Sequence, residues 1–337
     1  MTVSTLLRPL RPVLRASLRA GAVAAAAVLC MGAAHAAYPD KPVRIVVPFS
    51  PGSGGDIGAR FIAQKLSEIW NQATVVDNQV GANGIIGTQV AARSPADGYT
   101  LLVPNDTVLT VNPALYRNLP YNPVKDFAPI ALVGETPMML VASPKFPVHT
   151  VKELLAAARA RPGDINFGSG GNGSSQHLPM EMLMADTKVK MTHVPFKAMS
   201  AALTSVVADQ VPVMFAGVSA AMPFLQSGKL TPIAVGSAQR LPMVPNVPTV
   251  AESGVPGFRY GTWLGFVAPA GTPKAIVDKV NADINTILRS QEVKDKLMAM
   301  GFLPATPGTP EQFHKLIVDD LALYGKLIKD AGIEPAN

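Results

Sequence analysis

Apolar positions along this chain alternate between short β-branched runs and stripes spaced three and four residues apart. Residues 43–48 (Val-Arg-Ile-Val-Val-Pro) read as a strand, Ser50-Pro-Gly-Ser-Gly-Gly-Asp56 as a tight glycine loop, and Phe61, Ile62, Leu66 and Ile69 as the apolar face of a helix. A strand at 74–76, a helix at 85–92 and a strand at 99–103 after the turn Asp97-Gly98 follow. Strands alternating with helices predict βαβ units and a largely parallel sheet.

The apolar stretch 130–142 is too long for one ordinary strand and predicts a segment crossing between lobes. The same grammar then restarts. Thr150 and Glu153 form a capping box for a helix through Arg161, which Pro162-Gly163 stops. A strand at 165–167 runs into Gly168-Ser-Gly-Gly-Asn-Gly-Ser174, followed by helices near 174–185, 201–208 and 220–226 and strands near 189–194, 211–215 and 231–235. A strand at 259–268 returns the chain to its first lobe. Thr272-Pro273 and Thr309-Pro310 open helices at 273–289 and 310–331 that would pack outside it. The expected fold is α/β with two lobes joined by two crossings: residues 37–138 and 258–337 in lobe 1, and 139–257 in lobe 2. A single continuous Rossmann-like sheet is the alternative.

The composition, 48% hydrophobic and 15% charged over 337 residues, excludes a disordered chain; average usage is about 25% charged. The formal charge of +6 suggests nucleic acid until its placement is considered. Arg8, Arg11, Arg15 and Arg19 precede an apolar run at 20–34 that ends in Ala34-His35-Ala36, and no acid occurs before Asp40. This is the layout of a secretory signal peptide over 1–36, with cleavage before Ala37, and it places the protein in the periplasm. The apolar run is shorter than a membrane span needs. Without that segment the charges nearly balance, so nucleic acid is not an expected partner. Cys30, the only cysteine, falls in the same segment behind Leu29, which disfavours a lipid anchor and leaves no thiol chemistry.

Each expected lobe carries one loop in which a strand enters a helix through glycines and hydroxyls: 50–56 and 168–175. Such loops leave backbone N–H groups unpaired at a helix N-terminus and bind carboxylates or phosphates. Tight turns with Ser174 and Asp56 as plain helix caps are the simpler reading for one loop, but a loop in each lobe favours a shared anionic guest. The second loop matches G-x-G-x-x-G through Gly168, Gly170 and Gly173, yet Met191-Thr-His193 stands where a dinucleotide site wants an acid. Ser174 stands where a phosphate-binding loop needs lysine. His177 and Glu181, four apart, have the spacing of metal ligands, but no second cluster accompanies them, so a helix-surface pair is expected, with no metal and no cofactor. His149, His193 and His314 stand singly. Phe196, Phe215 and Trp263 could wall a pocket or fill a core. A periplasmic hydrolase using Ser175 or a relative on an ester or amide is the competing function.

The chain also resembles the substrate-binding proteins of tripartite tricarboxylate transporters, the Bug family. The resemblance is carried by Tyr38-Pro-Asp-Lys-Pro-Val-Arg-Ile-Val-Val-Pro-Phe49, Pro51-Gly-Ser-Gly-Gly-Asp-Ile57, Ala96-Asp-Gly-Tyr-Thr-Leu-Leu102 and Asn112-Pro-Ala-Leu-Tyr116. It continues through Tyr121-Asn-Pro-Val-Lys-Asp-Phe127, Gly168-Ser-Gly-Gly-Asn-Gly-Ser174, His193-Val-Pro-Phe-Lys197 and Val247-Pro-Thr-Val-Ala-Glu-Ser-Gly-Val-Pro-Gly257. It implies a type II periplasmic binding protein of Venus-flytrap form, each lobe a mixed, mainly parallel sheet flanked by helices. It further implies a monomer, not an enzyme, that delivers a small carboxylate to membrane permease subunits. The residues then expected at the ligand are Phe49, Ser50, Ser53, Gly54, Gly55 and Asp56 on the first loop and Ser169, Gly170, Gly171, Asn172, Gly173, Ser174 and Ser175 on the second. Phe196, Ala216 and Gly217 join them. Ala198-Met199 stands after Lys197 where a Gly-Gly or similar small pair is usual, and two further departures stand out. Ser50-Pro-Gly-Ser-Gly-Gly-Asp56 replaces the usual Pro-Pro-Gly-Gly-Gly-Thr-Asp, and Met214-Phe-Ala-Gly217 lacks an acid common at that strand end. The last of these departures points to a dicarboxylate or an aromatic acid such as terephthalate over an amino acid.

Overall fold

A computed structural model describes residues 38–330 and residue 335; the export-signal reading of 1–36, Cys30 included, lies outside them. From Lys41 onward the strands fall into two sets joined through one long strand. The first set contains β1 (Val43–Val47), β2 (Thr74–Asn78), β3 (Thr100–Leu102) and β9 (Gly261–Pro269). The second contains β5 (Asn166–Ser169), β6 (Thr192–Pro195), β7 (Val213–Gly217) and β8 (Thr231–Val235). β4 (Phe127–Ala142) belongs to both: residues 127–137 pair with β9, and 138–142 pair with β7 and β8. The overlong apolar run is therefore a single strand of 16 residues that serves two sheets, giving a two-lobed α/β architecture with hydrogen bonding continuous through β4.

Parallel pairing, as expected of βαβ units, joins β1 to β2 and β3, and β5 to β6 and β7. Around β4 the pairing is antiparallel, because the segments that leave one set and return to it run in opposite directions. The short β10 (Leu303–Pro304) adds to β4 at Gly134 and Glu135.

The helices follow the same division. α1 (Gly54–Trp70) buries Ala59, Ile62, Ala63, Leu66 and Trp70, a stripe at helical spacing, and stops at Asn71 in the left-handed region. α2 (Ile85–Ala92), a π turn over Thr107–Val111 and α3 (Asn112–Leu115) complete the first part of the chain. α4 (Val151–Ala160) has the expected Thr150–Glu153 capping box, and α5 (His177–Thr187), α6 (Met199–Val207) and α7 (Val218–Gln226) flank the second set. α8 (Lys274–Arg289), α9 (Gln291–Ala299) and α10 (Pro310–Asp330) close the chain.

Three expectations change. Thr272 does not cap α8; its hydroxyl turns back to the carbonyl of Pro269, and Pro273 takes the capping position. α9 is an additional helix with only Val293 and Leu297 buried, too narrow a stripe to read from pattern. α10 is not confined to the first part of the molecule. At 21 residues it is about 31 Å long, and Tyr324 and Ile328 join the core that holds Leu140, Phe167, Phe215 and Phe258. A separate core of Val46, Leu102, Leu109, Phe127, Trp263 and Phe313 lies under the first set. Among the described residues no helix is long and apolar enough to cross a membrane.

Candidate functional site

The first glycine loop is shaped by the start of α1. Ser53 is the N-cap, its hydroxyl accepting from the Asp56 amide at 3.2 Å, and the first-turn amides of Gly54 and Gly55 lie beyond reach of the helix's own carbonyl ladder. Both glycines stand where no side chain fits. A Cβ on Gly54 would fall 2.7 Å from Ser219 Oγ, and one on Gly55 2.6 Å from the Phe49 ring. The Asp56 carboxylate is turned inward. It accepts from the Gly52 amide (2.9 Å) and Asn78 Nδ2 (2.9 Å) and pairs with Arg60 (2.9 Å). Burial alone would raise its pKa, but bonds from Arg60, Asn78 and Gly52 together hold it below the usual carboxylate range.

The second loop leaves β5 and is held by an imidazole, a hydroxyl and a side-chain amide. The Gly173 amide donates to His177 Nδ1 (3.0 Å), the Gly171 amide to Ser169 Oγ (3.0 Å) and the Gly170 amide to Gln176 Oε1 (3.3 Å). Gln176 Nε2 in turn donates to Ser175 Oγ at 2.8 Å. Behind the loop the rings of His177 and His193 stack at 4.0 Å, and Phe167 stacks on His193 at 5.0 Å. Burial, reinforced by the His177 imidazole, brings His193 down to about 4, so it is neutral at physiological pH. His177 and His193 are thus neither a helix-surface group nor a solitary histidine. Among the described residues no group of three or more potential ligands stands together to hold a metal.

Between the loops lies a cavity of about 100 Å³, far more than one water needs. Of the residues expected at a ligand, Phe49, Ser50, Ser53, Gly54, Gly55, Gly170, Ser174, Ser175 and Gly217 line it. The others stand off its wall for identifiable reasons. Asp56 is consumed by its three partners, and Ser169 is fully buried between Gly171 and His193. Gly171, Asn172 and Gly173 connect the lining residues Gly170 and Ser174 without lining the cavity, Asn172 being exposed and Gly173 buried against Leu115. Phe196 packs on the core of Met139, Leu203 and Met214, and Ala216 is sealed inside β7. Phe215 is likewise core, whereas Trp263 does wall the cavity.

Sequence reading missed the rest of the lining. Asn83, with φ of 53°, is fixed by a reciprocal pair with the buried Asn112 (2.9 and 3.1 Å). Asn105 and Thr107 follow β3, Thr136 and Met138 come from β4, Thr262 and Leu264 from β9, and Lys197, Ala198 and Met199 from the turn into α6. Trp263 is held by its indole N–H, which donates to Asp320 at 2.7 Å, and by an edge-on contact with Phe313. Lys197 is the only charged side chain among the described residues that line the cavity; no carboxylate does. The wall therefore combines one cation, helix-start amides and hydroxyls with an aromatic and aliphatic side. Ser169 and His193, 2.5 Å apart, have the spacing of a nucleophile and its base, but Ser169 is wholly buried and off the cavity, out of reach of a substrate carbonyl.

Comparison with known proteins assigns the chain to a family. Residues 58–333 match the profile of the tripartite tricarboxylate transporter family receptor. A protein encoded in the tcbD-tcbE intergenic region of Pseudomonas sp. strain P51 is 38% identical over 293 residues, covering 87% of each chain. BugT of Bordetella pertussis is 34% identical over 88% of this chain and 90% of its own. Among solved structures, an R. palustris protein with adipate superposes with a TM-score of 0.87 at 34% identity, over 89% of this chain and 100% of that one. MatC from Rhodopseudomonas palustris with bound malate gives 0.81 at 32% identity, over 86% and 100%. The chain belongs to the tripartite tricarboxylate transporter receptor family, a family of solute receptors and not of enzymes.

Proposed function

We propose that this protein is a periplasmic receptor that holds a small carboxylate between the two glycine loops and passes it to the permease subunits of its transporter. The observation that carries the reading is the charge pattern of the cavity. Among the described lining residues Lys197 is the one that carries a charge, Gly54 and Gly55 line the cavity at the start of a 17-residue helix, and no acid joins them. A helix start of this kind carries about half a positive charge, and with a single lysine it suits one anionic group better than a zwitterion. The family's adipate- and malate-bound members support the same class of guest. The wall formed by Trp263, Met138, Val80 and Leu264 suits an apolar body behind the carboxylate, as in a longer dicarboxylate or an aromatic acid such as terephthalate.

The parts expected to move against each other are residues 37–138 with 258–337 and residues 139–257, hinged on the crossings at β4 and the start of β9. The export signal read at 1–36 supports the periplasm, and a monomer is expected. Calorimetric titration with adipate, malate, terephthalate and an amino acid tests the reading. One of the acids should bind with submillimolar affinity and be recovered unchanged. If every carboxylate fails and a sugar or a peptide binds, the reading is wrong.

A further inference from the structure

The second glycine loop is held by a bond whose existence depends on a proton. A backbone N–H can only donate, so the 3.0 Å contact from the Gly173 amide requires a bare lone pair on His177 Nδ1. The ring's one proton then lies on Nε2, 3.1 Å from Glu181 Oε1. Glu181 therefore fixes the tautomer and Gly173 reads it. Adding a proton to Nδ1 would set two N–H groups against each other at hydrogen-bond distance, and the loop would have to move.

We infer that His177, oriented by Glu181, is the positioning residue of the second glycine loop, and that protonation of its Nδ1 releases Gly173 and weakens ligand binding. The inference takes its ligand from the carboxylate reading above but its mechanism from the loop alone.

Movement of Gly173 reaches the cavity. Gly173 has φ of 71° and lies against Leu115, so the turn has little room to adjust, and the next residues, Ser174, Ser175 and Gln176, line the cavity wall. The Ser174 amide and carbonyl also tie the turn to α5, bonding to Gly171 and His177. The proton has few competing destinations. Facing His177 are Glu181 on its own helix and His193 on β6, and β5 and β7, against which α5 packs, carry no ionisable side chain. His193 stays neutral until about pH 4, so its stacking with His177 persists while the first proton is taken up.

The test uses the protein labelled with 15N at glycine and histidine, first without ligand. The titration runs from pH about 8 to about 5.5, and the Gly173 amide should move with any change seen in the His177 ring nitrogens. His177→Asn, which keeps an acceptor near the Nδ1 position but cannot titrate, should abolish the Gly173 curve. Glu181→Gln keeps the side chain's shape and removes the charge favouring the imidazolium, so it should move the curve to lower pH. Calorimetry with adipate then compares the two ends of the range. Wild type should lose about five- to tenfold more affinity on acidification than His177→Asn, the value of one backbone bond left unmade. Protonation of adipate is common to both proteins and cancels. A Gly173 amide that stays still while His177 titrates, or equal affinity losses in the two proteins, would overturn the inference. If adipate binds at neither pH, the carboxylate reading loses its probe, and the ligand-free titration still decides this one.

Discussion

The two glycine loops present similar backbone to one cavity but are supported in opposite ways. The first is fastened by ions: Asp56 joins Gly52, Asn78 and Arg60 around the start of α1. The second is fastened by imidazoles, a hydroxyl and a side-chain amide: His177, His193, Ser169 and Gln176. An ionised carboxylate with a lowered pKa keeps its bonds until the pH falls below the ordinary carboxylate range, whereas the bond from the Gly173 amide needs a bare imidazole nitrogen, which a proton removes. A shared backbone device thus acquires two different acid responses from the side chains behind it.

Crowding gives the largest way to break the comparison. Gly52 and Gly173 both have positive φ, but a Cβ on Gly52 meets open space and one on Gly173 meets Leu115. Gly173→Val should cost about 2–5 kcal/mol of stability, from strain plus overpacking, and Gly52→Val about 1–2 kcal/mol from strain alone. Urea denaturation measures both.

Charge gives the next effect. Lys197→Met should lower affinity for a bound dicarboxylate by about 1.5–3 kcal/mol, tenfold or more, with stability nearly unchanged because the residue is exposed. Calorimetry on the variant and the parent separates this from loss of fold.

The third prediction sharpens the contrast in acid response. His193 has a folded-state pKa of about 4, below the unfolded value of about 6.5. The stability it contributes is complete above the unfolded value and is lost as pH falls from about 6.5 to about 4. The stability difference between wild type and His193→Gln should therefore shrink across that window. The fully buried Asp106 acts in the opposite direction. Burial pushes it up to about 8, so its cost to stability appears as pH rises from about 4 to about 8, and Asp106→Asn should remove that slope. Comparing each variant with wild type at each pH keeps the two contributions apart. The smallest effect belongs to the first loop: Ser53→Ala removes the cap on α1 and should cost about 1 kcal/mol in thermal or urea unfolding.

Both loops were legible in the sequence because strand, glycines, hydroxyl and apolar stripe follow one another without interruption. The shared strand was legible too, since the apolar run 130–142 is longer than an ordinary strand, and it lies inside the 16-residue β4 that pairs with both sets. What the chain hid was lateral. Asn83 reaches the cavity through a left-handed turn pinned by Asn112, 29 residues away, and Trp263 is aimed by Asp320 from α10. Lys197 sits in a motif that pattern reading treats as a strand end. The pairing of His177 with His193 depends on β5 and β6 lying side by side, a register that no local spacing encodes. Asp56 failed as a cavity residue for the complementary reason: its position in the loop was right, but Asn78 from β2 and Arg60 from α1 had already claimed its oxygens.

The most direct measurement is an amide-resolved titration of the protein with adipate, followed by 1H–15N spectroscopy at neutral pH. The account predicts that the amides of Gly54 and Gly55 and those of Gly170 and Ser175 shift together along a single saturation curve. Saturable shifts confined to one loop, or gathered elsewhere on the molecule while both loops stay still, would contradict it.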